Sequence, residues 1–297
     1  MLSTKRAGLL LGFPEYGGPA RDIAAAAGLD FAEVDVHLFP DGESRIRLPV
    51  HLPERVFICR SLNQPNQKLV ELALVASTAR TLGAAKVGLV APYLCYMRQD
   101  KAFQAGEAVS QHIVGSLLAN LFDELITVDP HLHRIKRLEV AVPVNKAVAL
   151  RATDAMSAYL EGRLINPILV GPDEESRQWV AAIAKRNGLE CHVARKQRLG
   201  DSDVNVTVPE ADIRGRHVVL VDDIVSTGRT LESACRQLGS HQPASITVMV
   251  THALFVGDAE ARIRSAGVNE IWSCDSVVHA TNRIRLADSI AAALADL

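Results

Sequence analysis

Residues 217–231 read HVVLVDDIVSTGRTL, and that order of residue types decides the fold. A run of aliphatic, largely β-branched side chains has the pattern of a strand buried on both faces, as parallel sheets require. Two adjacent carboxylates, Asp222 and Asp223, close the run, and the small, hydroxyl-rich STGRT opens a helix. In open parallel sheets, ligands bind beyond the carboxyl ends of the strands, where loops enter helices. Small residues there let backbone N–H groups approach an anion, and the helix N-terminus adds partial positive charge, so a phosphate is the natural occupant. The two acids would repel that phosphate but suit sugar hydroxyls or a divalent cation, so a sugar phosphate fits the whole stretch. The plainer alternative is an ordinary strand-to-helix turn with Ser226 or Thr227 as the N-cap.

Outward from this stretch, apolar runs recur at 56–60, 86–93, 124–129, 166–173 and 245–253, with helix-like segments at 67–84, 109–121, 175–188 and 229–239. Such alternation predicts βαβ units and parallel sheets. The plan of strand, loop, helix, glycine and strand occurs at both 54–93 and 215–253, so the 297 residues divide into two related α/β domains, 1–147 and 148–297. The last segment, RLADSIAAALADL, is a helix whose domain the pattern leaves open, with the first as one option. Two polar stretches, 96–108 and 195–216, interrupt the regular pattern as loops. Loops of that length in a compact domain are often functional.

Composition narrows the function class. A net charge of −2 gives no bulk attraction for nucleic acid, so any anion site is local. Five widely spaced cysteines, with no CxxC pair, indicate neither a zinc site nor a redox motif and fit a reducing cytoplasm. No apolar stretch reaches the roughly 18 residues of a membrane span. The run AGLLLGF (7–13) ends at Pro14 and reads as a buried first strand rather than a secretory signal.

The hydrophobic-DD-xxx-TG-x-T pattern resembles the ribose-5-phosphate site of the phosphoribosyltransferase fold superfamily. FPDGESRIRLP (39–49), PYLCYMRQD (92–100), TVDPHLHRI (127–135), VGPDEES (170–176) and ARKQR (194–198), in this order, resemble the ribose-phosphate diphosphokinase family, the synthases of phosphoribosyl diphosphate. These motifs span nearly the entire chain. The resemblance implies an α/β fold of two phosphoribosyltransferase-like domains, each a largely parallel sheet flanked by helices. It also implies an enzyme that moves the diphosphoryl group of ATP to the anomeric hydroxyl of ribose 5-phosphate and releases AMP. Such a transfer needs positioning and charge neutralisation more than covalent help from the protein.

Residue by residue, the resemblance carries the following roles. Lys196 and Arg198 match the catalytic KxR loop that covers the transferring group; read alone, they are a solvated basic patch. Arg98, Gln99 and Asp100 match the RQD triplet, whose arginine helps hold the ATP phosphates. His131 matches a histidine placed at the ATP phosphates and a magnesium ion, and Asp173 a second metal-associated acid. Phe39, Asp41 and Glu43 match a segment that receives the adenine of ATP bound mainly by a neighbouring subunit. That implies a homo-oligomer with a shared active site. Asp222, Asp223, Ser226, Thr227, Gly228, Arg229 and Thr230 match the ribose-5-phosphate loop, and Mg2+ is the expected cofactor.

Some positions depart from the family pattern. Ser226 replaces a third acid, Arg229 replaces a residue with little or no side chain, Pro130 stands where the family has leucine, and Glu174 and Glu175 replace small residues. Two other readings therefore stand beside the diphosphokinase. One is a catalytically silent member that regulates an active partner. The other is a phosphoribosyltransferase that consumes phosphoribosyl diphosphate.

Overall fold

The computed structural model describes residues 8–132, 135, 137–198, 204–207 and 212–297. The chain divides into two units, Met1–Arg151 with Leu286–Leu297, and Ala152–Arg285. The boundary thus follows Arg151 rather than residue 147, and the C-terminal segment returns to the first unit.

The first unit runs β1 (Leu9–Gly12), α1 (Gly17–Ala27), β2 (Asp30–Glu33), β3 (Asp35–Leu38), β4 (Ser44–Arg47), β5 (Arg55–Cys59), α2 (Pro65–Thr81), β6 (Lys86–Ala91), α3 (Ser110–Leu121), β7 (Glu124–Val128), α4 (Leu138–Ala141) and β8 (Lys146–Leu150). The second runs α5 (Thr153–Leu160), β9 (Ile168–Gly171), α6 (Arg177–Asn187), β10 (Cys191–Val193), β11 (Arg195–Arg198), β12 (Val204–Thr207), β13 (His217–Val225), α7 (Arg229–Ser240), β14 (Ser245–Ala253), α8 (Ala259–Ser265), β15 (Glu270–Cys274) and β16 (Asn282–Ile284). The final helix, α9 (Ala287–Ala295), packs on α1 in the first unit.

The sheet orders are β2-β1-β5-β6-β7-β8 and β10-β9-β13-β14-β15-β16, every neighbouring pair parallel. Counted along each unit, both orders are 2-1-3-4-5-6. The repeat read faintly in the sequence is therefore a repeat of topology. Strands β1, β7 and β9 are buried along their whole length, whereas the edge strands β2 and β8 are half exposed. That contrast is why the central runs read as continuously apolar and the edges escaped notice.

The equivalence extends to detail. In each unit an antiparallel hairpin, β3–β4 or β11–β12, is inserted between the second and third sheet strands. The stretch 195–216, expected as a loop, thus contains a paired hairpin. β4 lies against α2 and β12 against α7, the helices that follow the third sheet strand in each unit. α1 and α6 each end on a left-handed glycine, Gly28 and Gly188, and α2 and α7 each start from a left-handed residue, Gln64 (φ 51°) and Gly228 (φ 72°).

One place differs between the units in a way that bears on function. In a 2-1-3-4-5 order the ligand crevice lies at the switch point between the first and third strands. In the first unit that position, beyond β1 and β5, is occupied by the chain's own side chains. The Arg60 guanidinium lies 3.7 Å from the centre of the Phe13 ring. Its Nε donates to Glu15 Oε1 at 2.7 Å, and Nη2 is 2.6 Å from Glu71 Oε2. Glu71 also accepts from Ser44 Oγ (2.6 Å) on the hairpin and from Gln67 Nε2 (2.9 Å). Burial alone would raise the Glu71 carboxyl, but hydrogen bonds from Ser44, Gln67 and Arg60, with the Arg60 charge, outweigh it and hold the group below the ordinary carboxylate value.

Candidate active site

In the second unit the switch point, beyond β9 and β13, carries acids instead of a salt-bridged plug. β13 continues two residues past the paired acids, to Val225, because its pairing with β14 extends to Val225 opposite Ala253. Asp222 and Asp223 are therefore the penultimate part of a strand, not its end. Asp223 is almost enclosed, with 4% of its surface exposed, and Asp222 is half-buried. The Asp223 N–H donates to Asp222 Oδ1 at 3.0 Å.

Asp173 follows β9 and caps the short 3-10 turn Glu174–Ser176, its Oδ1 accepting from the Glu175 and Ser176 N–H groups (3.2 and 3.4 Å). Glu174 turns away to make a two-point contact with Arg177. Asp222 feels its surroundings most: desolvation first, then the charges of Asp223 and Asp173, raise its carboxyl well above the ordinary value. Among the described residues no group of three or more His, Cys, Asp or Glu side chains is disposed to enclose a metal ion. The acids fit a divalent cation held largely by substrate phosphates and water, which is the habit of magnesium, rather than an all-protein cage.

The Asp222 shift has a consequence for stability. Between the ordinary carboxylate value and the raised one, the folded state holds a proton that the unfolded state has lost. Stability therefore falls as pH rises through that window. Asp222→Asn is expected to flatten this dependence, melting near wild type in acid and above it at pH 7; parallel curves from pH 4 to 8 would contradict the shared strain.

After β13 the chain makes a backbone cradle. α7 is capped by Gly228, not by Ser226 or Thr227, and no side-chain cap is made. Glycine is favoured there chiefly by its backbone conformation. The position has φ 72°, and a Cβ would stand 2.9 Å from Ile263 Cδ1 of α8. Among the described residues, the N–H groups of Ser226, Thr227, Gly228, Arg229 and Thr230 make no hydrogen bond. Five consecutive unpartnered donors at the start of a twelve-residue helix form an anion nest. Arg229 is exposed and unpaired among those residues. A cation at the first turn of a helix opposes the helix dipole, so a bound anion would offset a local electrostatic cost.

The other sequence-named residues are distributed as follows. Phe39, Asp41 and Glu43 form the exposed tip of the β3–β4 hairpin, closed by Phe39 N–H to Glu43 O (2.8 Å) and by Glu43 N–H to Asp41 Oδ1 (3.1 Å). The Phe39 ring, 40% exposed, meets only the His37 edge among aromatic partners in the described residues, at 4.8 Å. Arg98, Gln99 and Asp100 follow β6. Arg98 is exposed, whereas Gln99 Oε1 accepts from Ser110 Oγ (3.1 Å) and so fixes the start of α3. His131, half-buried, follows β7. Lys196 and Arg198 lie on β11, whose backbone pairs with β12; their side chains lie outside the described residues. Burial pushes the Cys95 and Cys235 thiols up to about 12, which removes them as nucleophiles.

Sequence reasoning missed Arg262, on α8. Its Nη2 donates to Thr227 O at 2.5 Å and its Nε to Glu232 Oε2 at 3.2 Å, and it also pairs with Asp258. The segment DAEARIRS places Asp258 and Arg262, and Glu260 and Arg264, four apart. That pattern reads locally as a solvated helix face and gives no hint of a contact with the loop.

Comparisons with known proteins agree with this layout. Residues 16–121 match the family model described as the N-terminal domain of ribose phosphate pyrophosphokinase, and residues 143–282 the phosphoribosyl transferase domain. A ribose-phosphate pyrophosphokinase of Methanopyrus kandleri is 32% identical over 281 residues, 93% of this chain and 95% of the relative. Ribose-phosphate pyrophosphokinase 2 of Archaeoglobus fulgidus is 33% identical over 92% of this chain and 94% of its own. The crystal structure of a phosphoribosylpyrophosphate synthetase from Mycobacterium smegmatis shares the fold, with a TM-score of 0.81 at 20% identity over 98% of this chain and all of that one. With both halves matched to its domains and curated relatives aligned along more than nine-tenths of its length, the chain belongs to the ribose-phosphate pyrophosphokinase family, which is the diphosphokinase family under its other name.

Proposed function

We propose that the protein transfers the diphosphoryl group of ATP to O1 of ribose 5-phosphate, giving 5-phosphoribosyl 1-diphosphate and AMP. The observation that carries the acceptor half is the run of five unpartnered N–H groups from Ser226 to Thr230 directly after Asp222 and Asp223. Those donors hold the 5-phosphate, and the carboxylates accept hydrogen bonds from ribose hydroxyls. The crowded Asp222 carboxyl, reluctant to ionise alone, is relieved by a partner that donates to it. In the first unit the equivalent crevice is plugged by Arg60, which supports a single acceptor site per chain.

In the reaction, O1 of the sugar attacks the β-phosphorus of ATP, the bond from that phosphorus to the α,β-bridging oxygen breaks, and AMP departs. Arg98 and Asp100 serve the donor triphosphate, with Gln99 shaping their loop. Phe39 offers an exposed face for stacking on adenine, and Asp41 and Glu43 offer acceptors for its amine. Magnesium, when bound, would neutralise phosphate oxygens; His131 in the first unit and Asp173 in the second each match a separate metal-associated position, and each would contribute to holding an ion with substrate oxygens and water. Lys196 and Arg198 neutralise the group in transit. The exposed hairpin tip supports its use by a second copy of the chain, hence a homo-oligomer with a shared site. All five cysteines are free, and no described helix is long and apolar enough to cross a membrane, which fits a place in the cytoplasm.

Analogues of ATP test which bond is broken. With ribose 5-phosphate and magnesium, β,γ-methylene ATP should still yield AMP, whereas α,β-methylene ATP should not react. Release of inorganic phosphate or ADP from ATP would instead mark attack at the γ-phosphorus and refute the assignment.

A further inference from the structure

Three consecutive carbonyl oxygens of the loop face one segment of chain. Leu254 and Phe255 N–H groups donate to Val225 O (3.0 and 3.1 Å), Val256 N–H to Ser226 O (3.0 Å), and Arg262 Nη2 to Thr227 O (2.5 Å). No described peptide bond here is cis. In a trans peptide the C=O and the following N–H point in opposite directions. Fixing the three carbonyls toward 254–262 therefore turns the N–H groups of Ser226, Thr227 and Gly228 to the opposite side, where they have no partner among the described residues. The first two tethers are backbone to backbone. The third is a side chain, and it sets the peptide that leads into the left-handed Gly228.

We infer that Arg262 is a positioning residue for the anion of the sugar phosphate: by holding Thr227 O, it aims the Gly228 N–H into the cradle. Its guanidinium is committed to the outer side of the loop by Thr227 O, Glu232 and Asp258, so it acts through the peptide and not by touching the phosphate. The inference rests on the reading of this loop as the ribose-5-phosphate site.

The test is calorimetric titration of the full chain with ribose 5-phosphate and, separately, with ATP, together with steady-state kinetics, for wild type, Arg262→Met, Arg262→Lys and Gly228→Val. Arg262→Met should weaken ribose 5-phosphate roughly five- to tenfold in both Kd and KM, the scale of one lost hydrogen bond. KM for ATP and kcat should stay near wild type, and Arg262→Lys, which can donate a single bond to Thr227 O, should fall between. A merely structural role would lower ATP binding and kcat in parallel, and that result would overturn the inference. Should the methionine variant fail to fold, the lysine variant carries the same split. If Gly228→Val abolishes ribose 5-phosphate binding while both Arg262 variants bind as wild type, Arg262 has no positioning role and the site assignment stands. If wild type itself binds no ribose 5-phosphate, both fall together.

Discussion

Lys196→Ala is expected to lower kcat about 10²- to 10³-fold, the usual cost of removing one group that stabilises charge in a transition state. Its thermal midpoint should stay that of wild type. The residue belongs to a hairpin inserted between the second and third sheet strands and not to the six-stranded sheet itself. β12, the other strand of that hairpin, lies against α7, the helix that follows the 226–228 loop. Lys196, on β11 of the same hairpin, is the cation proposed to neutralise charge in a loose phosphoryl-type transition state. On the proposed role, an interaction made mainly in the transition state, kcat and kcat/KM should fall together. Turnover within a factor of two of wild type would mean that the KxR match is accidental.

Arg60→Met should have the largest effect on stability. Arg60 and Glu71 have 5% and 1% of their side chains exposed, so the variant strands a buried carboxylate. Breaking such a pair from one side costs about 3–5 kcal/mol. The sign of its pH dependence is the reverse of Asp222's. The depressed Glu71 value contributes stability that is present above the ordinary carboxylate value and is lost as pH falls through the lower folded one. Removing the charge from the second partner as well, in Arg60→Met/Glu71→Leu, should recover much of the loss, because well-packed apolar replacements of buried ion pairs are tolerated. Urea unfolding of the single and double variants measures this. A single variant within about 1 kcal/mol of wild type would show that the plug is not a buried charge pair in energetic terms.

How much of this was legible in the sequence follows from burial. Strands covered on both faces, such as Leu9–Gly12 and Ile168–Gly171, announce themselves as apolar runs, and the βαβ alternation follows from them. Short, charged elements do not. Asp35–Leu38, Ser44–Arg47 and Arg195–Arg198 are short and rich in charge, so the two inserted hairpins were indistinguishable from loops. The acids and the small-residue loop were readable because their chemistry is local. Arg262 was not, since its contact with Thr227, 35 positions earlier, depends on α8 folding back across the loop. The plugged first-unit crevice was equally hidden, because Glu15, Ser44, Arg60 and Glu71 are scattered in sequence and meet only through the topology.

The most direct measurement follows the reaction by 31P NMR with pure protein, ATP, magnesium and ribose 5-phosphate. AMP and 5-phosphoribosyl 1-diphosphate should appear in equal amounts and at equal rates, with no ADP, and Lys196→Ala should slow both together. Formation of ADP, or intact ATP in a sample that still binds ribose 5-phosphate under varied magnesium and phosphate, would contradict a diphosphokinase and leave a silent family member.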